Sequence, residues 1–348
     1  MTWTANQADL QADRDAAMAA VKAAVPPGTC VAVVAPGGYA PDPAAVERGV
    51  ALLEALGCRV RNFYRHEERF QRFGASDEAR AAQLMQAAAD SEVEVVLALR
   101  GSYGVSRILP MLDIGKLAAS GKLFVGYSDI TALHLALLQA GAASFAGPML
   151  NGDFGAPEPN WAALRGFWST LASPQASVHE HRPAAQDRQE SMDPRCGDRL
   201  TDAYSPALRC EGRLWGGNLA MVTHLVGSPW FPQVDGGILF LEDVNEHPFR
   251  VERMMLQLEH AGILARQQAI LLGDFATHRL AEIDNGYNFG EMLAFLRGRL
   301  ATPIVTGLPF GHVRDLVTLP VGAHAVLDSK GGEGFTLALS DYPTLRPR

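Results

Sequence analysis

Lys122-Leu123-Phe124-Val125-Gly126-Tyr127-Ser128-Asp129-Ile130-Thr131-Ala132-Leu133-His134 begins as an apolar, strand-like run and ends with the spacing of a helix. A serine stands in the turn between them, two residues after a glycine. A strand that turns sharply into a helix holds a serine hydroxyl clear of the backbone. It also leaves unpaired N–H groups of the new helix beside that hydroxyl, where they can receive a developing oxyanion. The same residues have a plainer reading, in which Ser128 is the N-cap of its helix. Gly-x-Ser with Ile130 in place of a closing glycine leaves both readings open.

Working outward, the alternation of this stretch repeats on its N-terminal side. Cys30-Val31-Ala32-Val33-Val34-Ala35 reads as a buried parallel strand ending in the turn Pro36-Gly37-Gly38. Pro43 to Leu56 has helical spacing and stops at Gly57; Cys58 to Phe63 is a strand and Asp77 to Asp90 a helix. A third strand, Val93 to Leu99, runs into Arg100-Gly101-Ser102-Tyr103-Gly104. Short helices over Val105 to Leu109 and before Gly121 lead to the opening stretch, whose helix closes at Gly141. Strand and helix alternating in this way predict a parallel sheet covered on both faces, with ligands beyond the carboxyl ends of its strands. The turns at Gly37, Gly101 and Gly126 fall there. Neither GxGxxG nor GxxxxGK[ST] is present, so Pro36-Gly37-Gly38 reads as a tight turn lining a cleft rather than a nucleotide loop.

On the C-terminal side the pattern changes. Asn151 to Pro159 is rich in Gly, Pro and Asp, like a linker, and Asn160 to Leu171 is helical with Trp161, Phe167 and Trp168. Pro183 to Leu208 is polar and charged and reads as a mobile surface loop able to act as a lid. Gly212-Arg213-Leu214-Trp215-Gly216-Gly217-Asn218 leads into a helix from Leu219 to Val226. Ile238 to Leu241 is a buried strand ending at Glu242-Asp243, followed by a helix from Phe249 to His260, a strand at Ala269–Leu272, a helix from Tyr287 to Leu300 and a strand at Ile304–Thr306. Short strands at Val317–Leu319, His324–Leu327 and Thr336–Leu339 close a mixed α+β half. The expected division is a leader over 1–24, a parallel-sheet domain over 25–160, a connecting segment over 161–210 and a C-terminal domain over 211–348.

With 348 residues, two domains are expected; 48% hydrophobic and 20% charged residues are ordinary for a soluble globular protein. A net charge of −8 argues against nucleic-acid or anionic-membrane surfaces, and no apolar run reaches the roughly 18–20 residues that span a bilayer. Met1 to Ala24 lacks the apolar core of a secretory signal, which with the cysteine pattern predicts a cytoplasmic protein. Cys30, Cys58, Cys196 and Cys210 show no metal-ligand spacing; a Cys196–Cys210 disulfide stays open. His179-Glu180-His181 lacks a third nearby ligand and reads more simply as surface, so neither metal nor cofactor is expected.

A serine needs a base, and the base an orienting group. Glu242, at the end of a buried strand, and His312, in the turn Leu308-Pro309-Phe310-Gly311-His312-Val313-Arg314-Asp315, are candidates; Glu242 could instead pair with Arg250 or Arg253. Arg100 and Arg107 are candidates for holding a substrate carboxylate. Trp215 and the Trp161–Trp168 segment could touch substrate or simply pack the core.

Taken together, Arg100-Gly101-Ser102-Tyr103-Gly104, Val125-Gly126-Tyr127-Ser128-Asp129-Ile130-Thr131, Leu214-Trp215-Gly216-Gly217-Asn218-Leu219, Phe240-Leu241-Glu242-Asp243 and Gly307-Leu308-Pro309-Phe310-Gly311-His312 resemble the LD-carboxypeptidase family of serine peptidases. That family includes murein tetrapeptide carboxypeptidases and microcin C self-immunity peptidases. The resemblance implies a flavodoxin-like N-terminal domain joined to a C-terminal swivelling β/α domain, and a triad falling on Ser128, His312 and Glu242. It implies backbone oxyanion donors at Asp129 and at Gly101/Ser102, where the family tends to carry a second glycine in place of Ser102. It also implies a homodimer and a small peptide substrate: a muropeptide losing a terminal D-amino acid or, alternatively, an aminoacyl-nucleotide. A reading of another class is a flavodoxin-like binding protein whose serine is only a cap.

Overall fold

Five parallel strands, Cys30–Val34 (β1), Arg59–Asn62 (β2), Val95–Ala98 (β3), Leu123–Gly126 (β4) and Ser144–Ala146 (β5), build the first sheet in the order β2-β1-β3-β4-β5. This is the flavodoxin-like order, and its direction of growth reverses between β1 and β3, where such sheets open a ligand crevice. All but β2 are buried at every position, as continuous apolar runs require when helices cover both faces. The computed structural model describes residues 7–181, 205–275 and 278–345.

The helices of this half are Gln7–Ala24 (α1), Pro43–Ala55 (α2), Asp77–Ala89 (α3), Val105–Ile108 (α4), Ile114–Ala119 (α5) and Thr131–Gln139 (α6). Asp42 caps α2 by accepting from Ala44 N, and Ser76 caps α3 by accepting from Ala79 N. Thr131 through Leu138 of α6 are all buried, because this helix packs between β5 of the first sheet and β7 and α8 of the second half.

The remaining helices are Trp161–Ala172 (α7), Leu219–His224 (α8), Pro248–His260 (α9) and Phe289–Arg299 (α10), and the remaining strands are Ala176–His181 (β6), Ala207–Asn218 (β7), Ile238–Glu242 (β8), Ala269–Leu272 (β9), Ile304–Thr306 (β10), Leu319–Val321 (β11), His324–Lys330 (β12) and Gly334–Ser340 (β13). The second sheet runs β10-β9-β8-β7-β12-β13-β6. Its long β7 joins two styles of pairing: the first part lies antiparallel to β12, the last part parallel to β8. β11 leaves this half altogether and pairs antiparallel with β5 at the edge of the first sheet.

Several local expectations change. β7 begins at Ala207, inside the segment read as a polar loop to Leu208. Its first residues are alternately exposed and half-buried, a period-2 pattern that polar composition obscures. Within 161–210, the helix expected over Asn160 to Leu171 is α7, and an edge strand that was not expected, β6, follows it. In place of a linker, Leu150–Phe154 forms a wide helical turn packed on α2, with Arg48 Nε donating to Gly155 O at 2.9 Å. Cys30, Cys58 and Cys210 are free thiols, whereas Cys196 and residues 183–204 of the loop expected over 183–208 lie outside the described residues. His179, on β6, bonds Ser177 Oγ at 3.0 Å; among the described residues no cluster could hold a metal ion, and no helix is long and apolar enough to cross a membrane.

Candidate active site

β4 ends at Gly126, where a β-carbon would meet Ile130 Cγ1 at 2.8 Å and Ala98 Cβ at 3.0 Å; only glycine lets the chain fold back so tightly. Ser128 then sits at φ +62°, a left-handed conformation uncommon for a residue with a side chain, and opens a 3₁₀ turn, Ser128–Ile130, that continues into α6. His134 secures the turn from beneath, its Nε2 donating to Gly126 O and its Nδ1 accepting from Ser144 Oγ, both at 2.8 Å. Burial lowers its pKa to about 4, so it stays neutral and spends both nitrogens on the scaffold. The capping reading of Ser128 is not realised: neither the 3₁₀ turn nor α6 has a side-chain cap.

The turn after β3 comes directly against this serine. A β-carbon on Gly101 would lie 2.8 Å from Ser128 Cβ, 3.0 Å from Ser128 Oγ and 3.2 Å from Asp129 N. The missing side chain therefore leaves a space bordered by a hydroxyl and by a backbone N–H at the start of the helical turn. Gly101 is anchored by its carbonyl, which accepts from Gly38 N at 2.9 Å. Ser102 adopts φ +76°, so the turn tolerates a serine in a glycine-like conformation. Asp129 ties the two turns together: its Oδ2 accepts from Val105 N at 3.0 Å, while Oδ1 is buried with no hydrogen-bond partner among the described residues. Burial pushes its carboxyl up to about 6.

The second sheet brings a carboxylate and an imidazole together. Glu242, the last residue of β8, is 0% exposed, and its Oε2 lies 3.0 Å from His312 Nδ1. Its Oε1 accepts from Asn218 Nδ2 at 3.2 Å, and the same amide donates to Asp243 at 2.9 Å, so one side chain separates two adjacent buried carboxylates. Asn218 is held in turn through its backbone N, which donates to Thr131 Oγ1 at 3.0 Å on the helix that follows Ser128. Burial opposes charging of His312, but the hydrogen bond and charge of Glu242, with Asp243 and Asp274, raise its pKa above the ordinary histidine value. Arg250 pairs with Glu246, not Glu242. Tyr127 joins the halves, its ring 5.2 Å edge-on from the His312 imidazole. Among the described residues no hydrogen bond links Ser128 to His312; such contacts are often long before substrate binds.

Next to this pair, a cavity of about 280 Å³ is lined by Tyr127, Asp153, Asn160, Leu164, His312 and Arg314, among others. Asn160 Nδ2 fastens the histidine loop by donating to Arg314 O at 2.7 Å and Asp315 Oδ1 at 2.8 Å. A larger cavity of about 450 Å³ near Leu138 and Gly322 contains no histidine, serine or cysteine.

Two expected binding residues are placed elsewhere. Trp215 is 1% exposed, donates from Nε1 to Gln267 at 2.8 Å and packs on Phe231; its position on a fully buried stretch of β7 turns it into the core. Arg107 is committed to Asp77 at 2.7 Å and stacks on Phe73. Arg100 donates to Tyr39 O at 3.1 Å across the β1–β3 crevice. Trp168 is buried beside Phe167, and Trp161 is partly buried against the core. Asn218 and Tyr127 lie inside the sequence blocks already quoted, yet nothing local marks them as bracing residues; Asp153 is hidden in a stretch that composition reads as a linker.

Known proteins share both halves. The LD-carboxypeptidase N-terminal domain matches residues 31–147 and the LD-carboxypeptidase C-terminal domain matches residues 211–327. The crystal structure of muramoyltetrapeptide carboxypeptidase from Oxalobacter formigenes is 46% identical, covers 91% of this chain and 100% of its own, and has a TM-score of 0.81. The murein tetrapeptide carboxypeptidase of Pseudomonas aeruginosa is 33% identical over 75% of this chain and 81% of its own. The microcin C7 self-immunity protein MccF of Escherichia coli is 26% identical over 81% of this chain and 84% of its own.

Proposed function

The chain belongs to the LD-carboxypeptidase family, and on that premise we propose that it removes the terminal D-amino acid, D-alanine, from a muropeptide through Ser128, His312 and Glu242. The observation that supports this most is the space before Gly101, bordered by Ser128 Oγ and Asp129 N, together with the buried Glu242–His312 pair on the adjoining sheet. Glu242 engages Nδ1 of the imidazole, which leaves Nε2 to take the proton of Ser128 Oγ. The oxygen attacks the carbonyl carbon of the L,D amide, and a C–O bond forms. Asp129 N–H and the Gly101/Ser102 turn receive the oxyanion, each donor contributing about 2.7–4 kcal/mol.

As the C–N bond breaks, His312 returns the proton to the leaving amine. Water then adds to the ester, giving a proton to His312; the acyl C–Oγ bond breaks, His312 returns that proton to Ser128 Oγ, and the tripeptide acid leaves. The raised pKa of His312 suits this exchange, because an imidazole that gains a proton beside Glu242 is stabilised at the moment it must hold one.

The test is a panel: wild type and Ser128→Ala with an L,D-tetrapeptide and with aminoacyl sulfamoyl adenylates, followed by mass spectrometry. Wild type should release D-alanine and the variant should lose at least ~10³-fold in rate. Equal release by both would remove Ser128 from the reaction. Turnover of the nucleotide substrates alone would move the enzyme to the other substrate class.

A further inference from the structure

Phe70 and Phe73 close a two-residue turn by exchanging backbone hydrogen bonds, Phe70 N to Phe73 O at 3.2 Å and Phe73 N to Phe70 O at 2.9 Å, with Gln71 at φ +53°. The turn is fixed across the mouth of the β1–β3 crevice. Tyr39 N donates to Arg72 O at 3.3 Å, Gly74 N donates to Gly37 O at 3.0 Å, and the Phe73 ring is covered by Arg80 at 4.8 Å and Arg107 at 4.6 Å. Its tip carries Arg72, whose Nη2 donates to Ser102 Oγ at 3.1 Å and whose guanidinium stands 6.0 Å from the Tyr103 ring centre.

The cations around this crevice differ in what they have left to offer. Arg80 and Arg107 share Asp77, at 2.5 and 2.7 Å, and Arg100 is turned to the Tyr39 carbonyl on the β1 side, at 3.1 Å. Among the described residues the Arg72 guanidinium has no carboxylate within ion-pair distance, and its one hydrogen bond is to a hydroxyl. A guanidinium held by one edge keeps further N–H groups in a fixed fork, the geometry that receives a carboxylate in two bonds.

We propose that Arg72, seated by Ser102, binds the free α-carboxylate of the substrate's terminal residue. The inference rests on the peptide-acid reading above. In that substrate the carboxylate carbon lies three bonds beyond the scissile carbonyl carbon, roughly 3–4 Å by standard bond lengths. Gly101 borders the reacting space and Ser102, the next residue, holds the arginine. Ser102 thus acquires a role that a glycine at that position could not fill.

The experiment compares kcat and KM for an L,D-tetrapeptide as free acid and as C-terminal amide, in wild type, Arg72→Ala, Arg72→Lys and Ser102→Gly. Calorimetric binding of both peptides to Ser128→Ala, with and without Arg72→Ala, is measured alongside. Wild type should prefer the acid by about 10- to 100-fold. Arg72→Ala should bring that ratio close to one by raising KM for the acid, with Arg72→Lys and Ser102→Gly intermediate. An unchanged ratio in Arg72→Ala while D-alanine is still released overturns the carboxylate site and leaves the reaction standing. A preference for the acid that is lost in the double variant, with no release by wild type, supports the site and refutes the reaction. Absence of binding by either peptide refutes both.

Discussion

Gly101→Ala adds one carbon where the structure has no room for it. That carbon would stand 2.8 Å from Ser128 Cβ, a separation real β-carbons essentially never show, and 3.0 Å from Ser128 Oγ. Reaching ordinary contact requires the two turns to part by more than half an ångström. Both are anchored against that movement: Gly101 O accepts from Gly38 N at 2.9 Å, and Asp129 Oδ2 accepts from Val105 N at 3.0 Å. Overpacking of this kind costs about 1–3 kcal/mol of stability. The catalytic loss should exceed it in effect, because the methyl occupies the space before Asp129 N and turns the Ser128 hydroxyl aside. Losing one oxyanion donor lowers kcat by about 10²–10³. The assay is D-alanine release under saturating peptide, with thermal unfolding and the rate of labelling by a serine-directed phosphonate measured on the same samples. Gly166→Ala is the control: it makes the same chemical change on α7 where a β-carbon meets nothing within 4 Å. A folded Gly101→Ala variant with kcat and labelling rate within about threefold of wild type would refute the assignment of this space to the reacting carbonyl oxygen.

Glu242→Gln should keep the fold and lower kcat by about 10³–10⁴, because an amide facing His312 Nδ1 at 3.0 Å either selects the wrong tautomer or turns its own N–H toward Asn218. With the charge gone the imidazole loses the partner that raises its pKa, so the acid limb of the pH–rate profile should move to lower pH; an unmoved limb would mean that Glu242 does not act on His312. Asp129 gives a stability prediction. Its folded carboxyl is raised by burial from 3.8 to about 6, so the native state holds the proton more tightly than the unfolded chain does. The associated stabilisation, about 3 kcal/mol at most, is fully present below 3.8 and is lost as pH rises through about 6. Asp129→Asn cannot titrate, and denaturant melts between pH 4 and 7 should show a flatter dependence than wild type; parallel curves would exclude Asp129 as the source.

The parallel half of the fold is legible because burial on both faces forces its strands into unbroken apolar runs, Cys30 to Ala35 and Val93 to Leu99 among them, with glycine at the turns. β7 is less legible: its exposed start alternates polar residues that composition assigns to a loop, and only pairing with β12 reveals the strand. Leu150–Phe154 misleads in the same way, since its Gly and Asp serve a packed turn rather than a flexible one. Trp215 reads equally as a ligand platform or as core, because aromatic content does not reveal which face of a strand is covered.

Local sequence determined where the backbone turns and which chemical groups each turn carries: a serine after Gly126, a carboxylate at the end of β8, a histidine after Gly311. These follow from short-range sterics and periodicity, together with the ordered blocks that identify the family. Tertiary structure alone decided which of these groups meet. The Glu242–His312 bond spans 70 residues, Asn218, whose side-chain amide separates Glu242 from Asp243, is held through its backbone N by Thr131 of α6, and Arg72 reaches Ser102 from a turn 30 residues away. Such partnerships depend on how two sheets pack around α6, and the distances that matter to chemistry, a few ångströms between side chains, are set by that packing and not by any pattern along the chain.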